Sequence, residues 1–153
     1  MLNDFYNKII VLHEFDIEVE AMKIIRANTD YLVFLLKSQL QVGKDGNDQT
    51  VTIFGRDYYK PLTIQLKEEY AFGLGEITEW ITNYFSGYFY SSLTVITEGD
   101  TFSFTSDAPY FSDIIKRSGK AVVELSKKNL ETFANNILIP QIQAEFTRRW
   151  NSV

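Results

Sequence analysis

The chain has 153 residues, 45% of them hydrophobic, so a single domain can bury a sizeable core without disulfides or metals. With no cysteine and one histidine, His13, thiolate catalysis, cysteine-bound zinc, disulfide scaffolds and multi-histidine metal centres are excluded. A net charge of -5 argues against generic nucleic-acid binding, and the charge is divided: Met1 to Ile115 holds 8 basic and 17 acidic residues, Lys116 to Val153 holds 7 basic and 3 acidic.

The opening MLNDFYNKIIVLHEF lacks the basic start and small-residue cleavage site of a signal peptide, and no window is apolar enough for a membrane span, so synthesis and retention in a cytoplasm are expected. Ile9, Val11, His13, Phe15, Ile17 and Val19 alternate with period two, which leaves helix or strand open; a short helix is the preferred reading, in an N-terminus (about 1–16) that is flexible or variable.

From Ile17 to Gln41 apolar residues recur at helical spacing, which predicts one long amphipathic helix with Asp16 as its N-cap. VGKDGND, residues 42–48, stops it and turns the chain. Thr50 to Phe54 favours a strand, and Pro61 to Tyr70 a short helix with proline in its first turn.

Trp80 to Phe85, Tyr88 to Thr97 and Thr101 to Ser106 read as strands, the last two joined at Glu98-Gly99-Asp100 as a hairpin. Phe102 and Phe104 alternate with Thr101, Ser103 and Thr105, which puts one face of that strand inside. Ala108 to Gly119 reads as a short helix closed by glycine, and KAVVEL as a brief extended piece. The segment from Ser126 to Trp150 is a second long amphipathic helix, capped by Ser126 and kinked at Pro140. The expected fold is α+β in one domain, 1–153: a long N-terminal helix and a kinked C-terminal helix packed on a small antiparallel sheet with a β-hairpin.

Constellations with catalytic potential are weak. His13 lies beside Glu14 and Asp16, but a general base needs a pocket and a nucleophile, and a half-buried structural histidine is the better reading. Glu68-Glu69 and Glu76-Glu79 read as solvated charge rather than glycosidase carboxylates. Asp45 to Asp48 lacks the loop length and terminal glutamate of a calcium-binding hand, and Gly73 and Gly75 lack the rest of any phosphate-binding fingerprint. Neither cofactor nor metal is expected, and the chain is not read as an enzyme.

YFSGYFY, residues 84–90, crowds five aromatic rings before a β-branched run. Rings on a surface are characteristic of protein interfaces, whereas base stacking needs neighbouring cations and none lies between Tyr70 and Ile115. Trp80, Phe85, Phe89 and Phe102 are assigned to the core, and Tyr84, Tyr88 and Tyr90 to a partner surface.

The order of several pieces is similar to a known family. A helix ending in Gln39-Leu40 is followed by Gly43 and Asp45, then by Tyr59 and Lys67; Trp80, Gly87, Phe89 and Tyr90 precede the hairpin; Ser106-Asp107, Gly119 and Leu125 follow it. Over about Ala21 to Phe146 this resembles small phage virion proteins of the head-to-tail connector and tail-completion (neck) type. It departs in reading Ser86-Gly87 where the family usually has Thr-Gly, and in the displaced glycine of Gly46-Asn47-Asp48.

The resemblance implies a non-enzymatic structural protein, made in a bacterial cytoplasm and located in the virion. It implies a ring of copies contacting neighbouring portal, connector or tail-tube proteins, without sequence-specific nucleic acid or membrane. The interface expected on that basis comprises Tyr84, Tyr88 and Tyr90, the hairpin tip Glu98, Gly99 and Asp100, and the basic end Arg148, Arg149 and Trp150. A monomeric small-ligand-binding α+β domain with an aromatic pocket is the alternative.

Overall fold

A computed structural model describes residues 2–71, 73–84 and 86–153, with Leu74 described by its backbone alone. Three helices open the chain: α1 (Leu2–Glu14), α2 (Ile17–Ala27) and α3 (Thr29–Gln41). Asp16 caps α2 as expected, its carboxylate accepting the Val19 N–H at 3.1 Å. The predicted single helix from Ile17 to Gln41 is broken at Asn28, whose backbone leaves the helical region (φ -125°) and whose side-chain amide donates to the Ile24 carbonyl at 2.8 Å. A residue able to bond its own preceding turn competes with the ladder, and apolar spacing does not register it.

The family-like stretch after α3 is a helix stop. The Gly43 N–H bonds the Leu40 carbonyl at 2.9 Å and the Lys44 N–H bonds the Gln39 carbonyl at 3.1 Å, a paired C-terminal cap that needs the left-handed conformation Gly43 supplies (φ 69°). A β-carbon there would also meet Trp80 Cδ1 at 2.7 Å. Asp45 closes the following turn by accepting the N–H groups of Asn47 and Gln49, each at 2.9 Å.

The strand expected at Thr50 to Phe54 is absent; only two isolated bridges form, Lys44 with Thr50 and Ile53 with Arg56. Phe54 and Gly55 between the second pair both have positive φ, so the segment folds back on itself. α4 (Pro61–Tyr70) follows with proline in its first turn, as predicted.

Trp80 to Tyr84 is not a strand, and Phe85 lies outside the described residues. The Thr82 backbone bonds phenols instead of a neighbouring strand: its N–H donates to the Tyr59 hydroxyl at 3.0 Å, and its carbonyl accepts from the Tyr90 hydroxyl at 2.7 Å. Tyr88 to Ser91 forms a helical turn, α5, where strand was expected, started by Gly87 at φ 85°. The hairpin is as read: β1 (Leu93–Glu98) pairs antiparallel with β2 (Thr101–Ser106), Glu98 opposite Thr101, with positive φ at Gly99, the first turn residue.

α6 (Phe111–Ser118) ends at Gly119, and KAVV forms a 3-10 turn rather than an extended piece. Ser126 caps α7 (Lys127–Phe133), and the chain stays helical through a wide π turn, Ala134–Leu138, into α8 (Ile139–Asn151). The Ile139 N–H reaches the Ala134 carbonyl, so the helix widens just before Pro140, whose ring would otherwise crowd the preceding turn. The expected kink is thus a bend in a long C-terminal helix.

α3 lies at the centre. Its Leu32, Leu36 and Leu40 are fully buried with Ile81, Ile114 and Val122, and it packs on β1 and α7. Gln39 ties it to the C-terminal helix: its amide donates to the Glu124 carbonyl at 2.9 Å and its oxygen accepts the Ser126 N–H at 2.8 Å. α8 packs on α2 and α1, where Phe15 meets Phe146 edge to face at 5.1 Å and Lys8 lies over the Trp150 ring.

Candidate functional site

A cleft of about 450 Å³ lies among the Ile53–Arg56 turn, α4, the residues Asn83, Tyr84 and Ser86, and α6. Tyr58, Tyr59, Tyr84 and Tyr110 line it, together with Arg56, Lys60, Lys67 and Arg117. Among the described residues none of these four cations has a carboxylate within ion-pairing distance, and no acidic residue lines the cleft.

Lys67 is placed by helical phase. It falls three residues after half-buried Ile64 and is the one fully buried side chain of α4, 1% exposed. Its ammonium donates to the Tyr84 carbonyl and lies 4.7 Å above the centre of the Tyr59 ring. Burial without a counter-charge pushes its pKa down to about 8.

Arg117, in the last turn of α6, donates through Nη2 to Asn83 Oδ1 at 3.3 Å, while its Nε is buried without a hydrogen-bond partner. Asn83 adopts a left-handed backbone (φ 55°), as does Phe54 (φ 50°), whose N–H bonds the Arg117 carbonyl at 2.7 Å. Two non-glycine residues in that conformation beside one cleft are a concentration of backbone strain.

The expected interface residues fall into distinct places. Tyr84 is half-buried in the cleft wall, its ring 4.9 Å from that of Tyr90. Tyr88 is exposed. Tyr90 is 4% exposed and its hydroxyl is spent on Thr82, so it is a core residue and not part of a partner surface; burial raises its phenol pKa beyond the ordinary range. Of the rings assigned to the core, Phe89 is buried and Phe102 packs against the core, but Trp80 covers Gly43 at the surface, its indole N–H donating to the Gln41 carbonyl at 2.8 Å.

Glu98, Gly99 and Asp100 are exposed at the hairpin tip. The basic end is already engaged within the chain: Arg148 and Arg149 both bond Glu145, Arg149 also bonds buried Glu20, and Trp150 stacks on Phe146 at 5.9 Å. The two guanidiniums hold the Glu145 carboxyl down at about 2.

His13 is exposed in the last turn of α1 rather than half-buried, because the positions turned inward around it are Lys8, Ile10, Val11 and, just past the helix, Phe15. Glu68, Glu69, Glu76 and Glu79 are exposed. No three His, Cys, Asp or Glu side chains among the described residues converge on a metal-sized site, and no described helix is long and apolar enough to cross a membrane.

A search for cations inside the aromatic run misses this cleft, because its cations come from residues 56–67 and 117 on either side. The available signal was Lys67 in phase with Ile64. Compared with models of known protein families, with curated proteins and with solved structures, the chain matches none.

Proposed function

We propose that the chain is a non-enzymatic structural component of a bacteriophage virion that assembles as a ring at the neck or tail, as a head-to-tail connector, tail-completion or tail-terminator protein. The observation that carries this reading is α1. Lys8, Val11 and Phe15 turn inward, while Leu2, Phe5, Ile9 and Leu12, spaced along another face of the helix, remain exposed together with Tyr6.

An apolar stripe of this kind is a surface for another protein, and here the occupant is a second copy of the chain. In a ring each copy uses two different surfaces, which suits the acidic body and basic end. The motif order along residues 21–146 adds to the reading, and portal, connector or tail-tube proteins are the neighbours it implies.

The test is the mass of the purified protein across a concentration series, by light scattering and by imaging, alone and with the structural proteins encoded beside its gene. Rings, or a stable complex with such a neighbour, support the proposal. A persistent monomer indifferent to those proteins sinks it.

The cleft around Lys67 favours a second reading, a monomeric domain that binds a small ligand in an aromatic pocket. Such a domain would stay monomeric and gain thermal stability with its ligand.

A further inference from the structure

We propose that the cleft between α4 and α6 binds an oxyanion, a phosphate or carboxylate, carried on a flat apolar body. The site belongs to a single chain, so the inference stands or falls independently of ring assembly. It gives the ligand-binding reading a ligand class.

The first argument is charge. In a chain of net charge -5, Arg56, Lys60, Lys67 and Arg117 line one cleft with no carboxylate among its lining residues. A buried ammonium is costly unless paired, yet among the described residues Lys67 has one carbonyl and the face of one ring. An ammonium carries three donors, and a carbonyl dipole does not neutralise it. An anion in the cleft would supply the missing charge.

The second argument is the guanidinium. Arg117 is half-buried, and its Nε is a buried donor that no group of the described residues satisfies. Nε and one Nη of a guanidinium form the planar fork that takes an oxyanion through two parallel hydrogen bonds. Nη2, the other nitrogen of that fork, donates one hydrogen to Asn83 Oδ1 and carries a second, and the left-handed backbone of Phe54, whose N–H bonds the Arg117 carbonyl, is held against its own preference beside Arg117.

The third argument is shape. A volume of about 450 Å³ is that of a small-molecule pocket rather than of a lone ion, and Tyr58, Tyr84 and Tyr110 among its lining suit a ring or other planar body. The cations fix one end of the ligand and the tyrosines the other.

Isothermal titration calorimetry tests this on the full chain, at pH 7, constant ionic strength and protein concentrations where light scattering reports monomer. The probes are phenyl phosphate, benzoate, inorganic phosphate and neutral phenol. Phenyl phosphate or benzoate should saturate one site per chain, more tightly than either inorganic phosphate or phenol, and the tighter of the two identifies phosphate ester or carboxylate as the class.

Lys67→Met and Arg117→Gln should each weaken that binding by about tenfold or more, the loss of one charge-assisted hydrogen bond. Arg56→Ala, at a half-buried position in the Ile53–Arg56 turn, should also weaken it if the buried variants fail to fold. Absence of saturable binding by any probe would overturn the proposal. So would unchanged affinity in folded variants, or inorganic phosphate or phenol binding as tightly as the combined ligands. A failed ring assay with successful titration rejects the virion reading alone; the converse rejects only this site.

Discussion

Tyr90 donates its phenolic hydrogen to the carbonyl of Thr82 at 2.7 Å, and so takes the place of a neighbouring strand for a segment that has none. Removing that hydroxyl in Tyr90→Phe leaves a buried carbonyl without its partner, at a cost of about 1–3 kcal/mol. Urea denaturation should show a lower midpoint with unchanged slope. Tyr88→Ala, at an exposed position, should stay within about 0.5 kcal/mol of the parent in the same assay. If the interface includes Tyr88, the second variant should nevertheless form fewer rings.

Gln39 joins α3 to the start of the C-terminal helix through two backbone groups far along the chain, the Glu124 carbonyl and the Ser126 N–H. Gln39→Ala should cost about 1–3 kcal/mol because the N–H of buried Ser126 is left without its partner. Hydrogen exchange at Ser126 should accelerate, which a loss of packing elsewhere would not single out.

The backbone of Phe54 is left-handed and its ring is exposed, so the aromatic side chain gains little from its position. Phe54→Gly should raise stability by about 1 kcal/mol through relief of the steric penalty. Gly87→Ala should do the reverse: at φ 85° its new β-carbon would meet the Tyr84 hydroxyl at 2.5 Å, and a loss of about 1–3 kcal/mol is expected by thermal or urea melting.

Lys67 titrates near 8 in the fold and near its ordinary value when unfolded, so between those values the unfolded chain binds the extra proton. Stability from this group therefore rises as pH goes from about 8 to about 10.5. The groups that share its cleft are Tyr59, Tyr84 and the cations Arg56, Lys60 and Arg117, and none of them is a carboxylate. Urea midpoints measured across this interval should rise in the parent and lose that rise in Lys67→Met.

Glu20 is buried against Lys23 and Arg149, which hold its carboxyl below the usual range. Its contribution is present above the unfolded carboxylate pKa and is lost as pH falls through the lower folded value. Arg149→Gln should be less stable than the parent at neutral pH, and the difference should shrink on acidification.

Ile9→Glu places a charge in the exposed stripe of α1 without touching the core. The monomer should melt within about 0.5 kcal/mol of the parent, while its mass at high concentration should fall to that of one chain.

The sequence determined the pieces whose physics is local. Asp16 and Ser126 cap helices because a side-chain oxygen reaches an N–H three residues on, Pro61 opens α4, and Gly99 turns a hairpin flanked by alternating residues. Tertiary structure decided what lies between them. Two phenols, Tyr59 and Tyr90, supplied backbone partners for Thr82 in a segment that pairs with no strand. It also moved Tyr90 from an expected surface into the core. The cleft was not legible because its charges are scattered over residues 56–117 and become neighbours only when α4 and α6 close on the aromatic segment. Helical phase placed Lys67 inward, but only the packed fold left it there without a counter-charge.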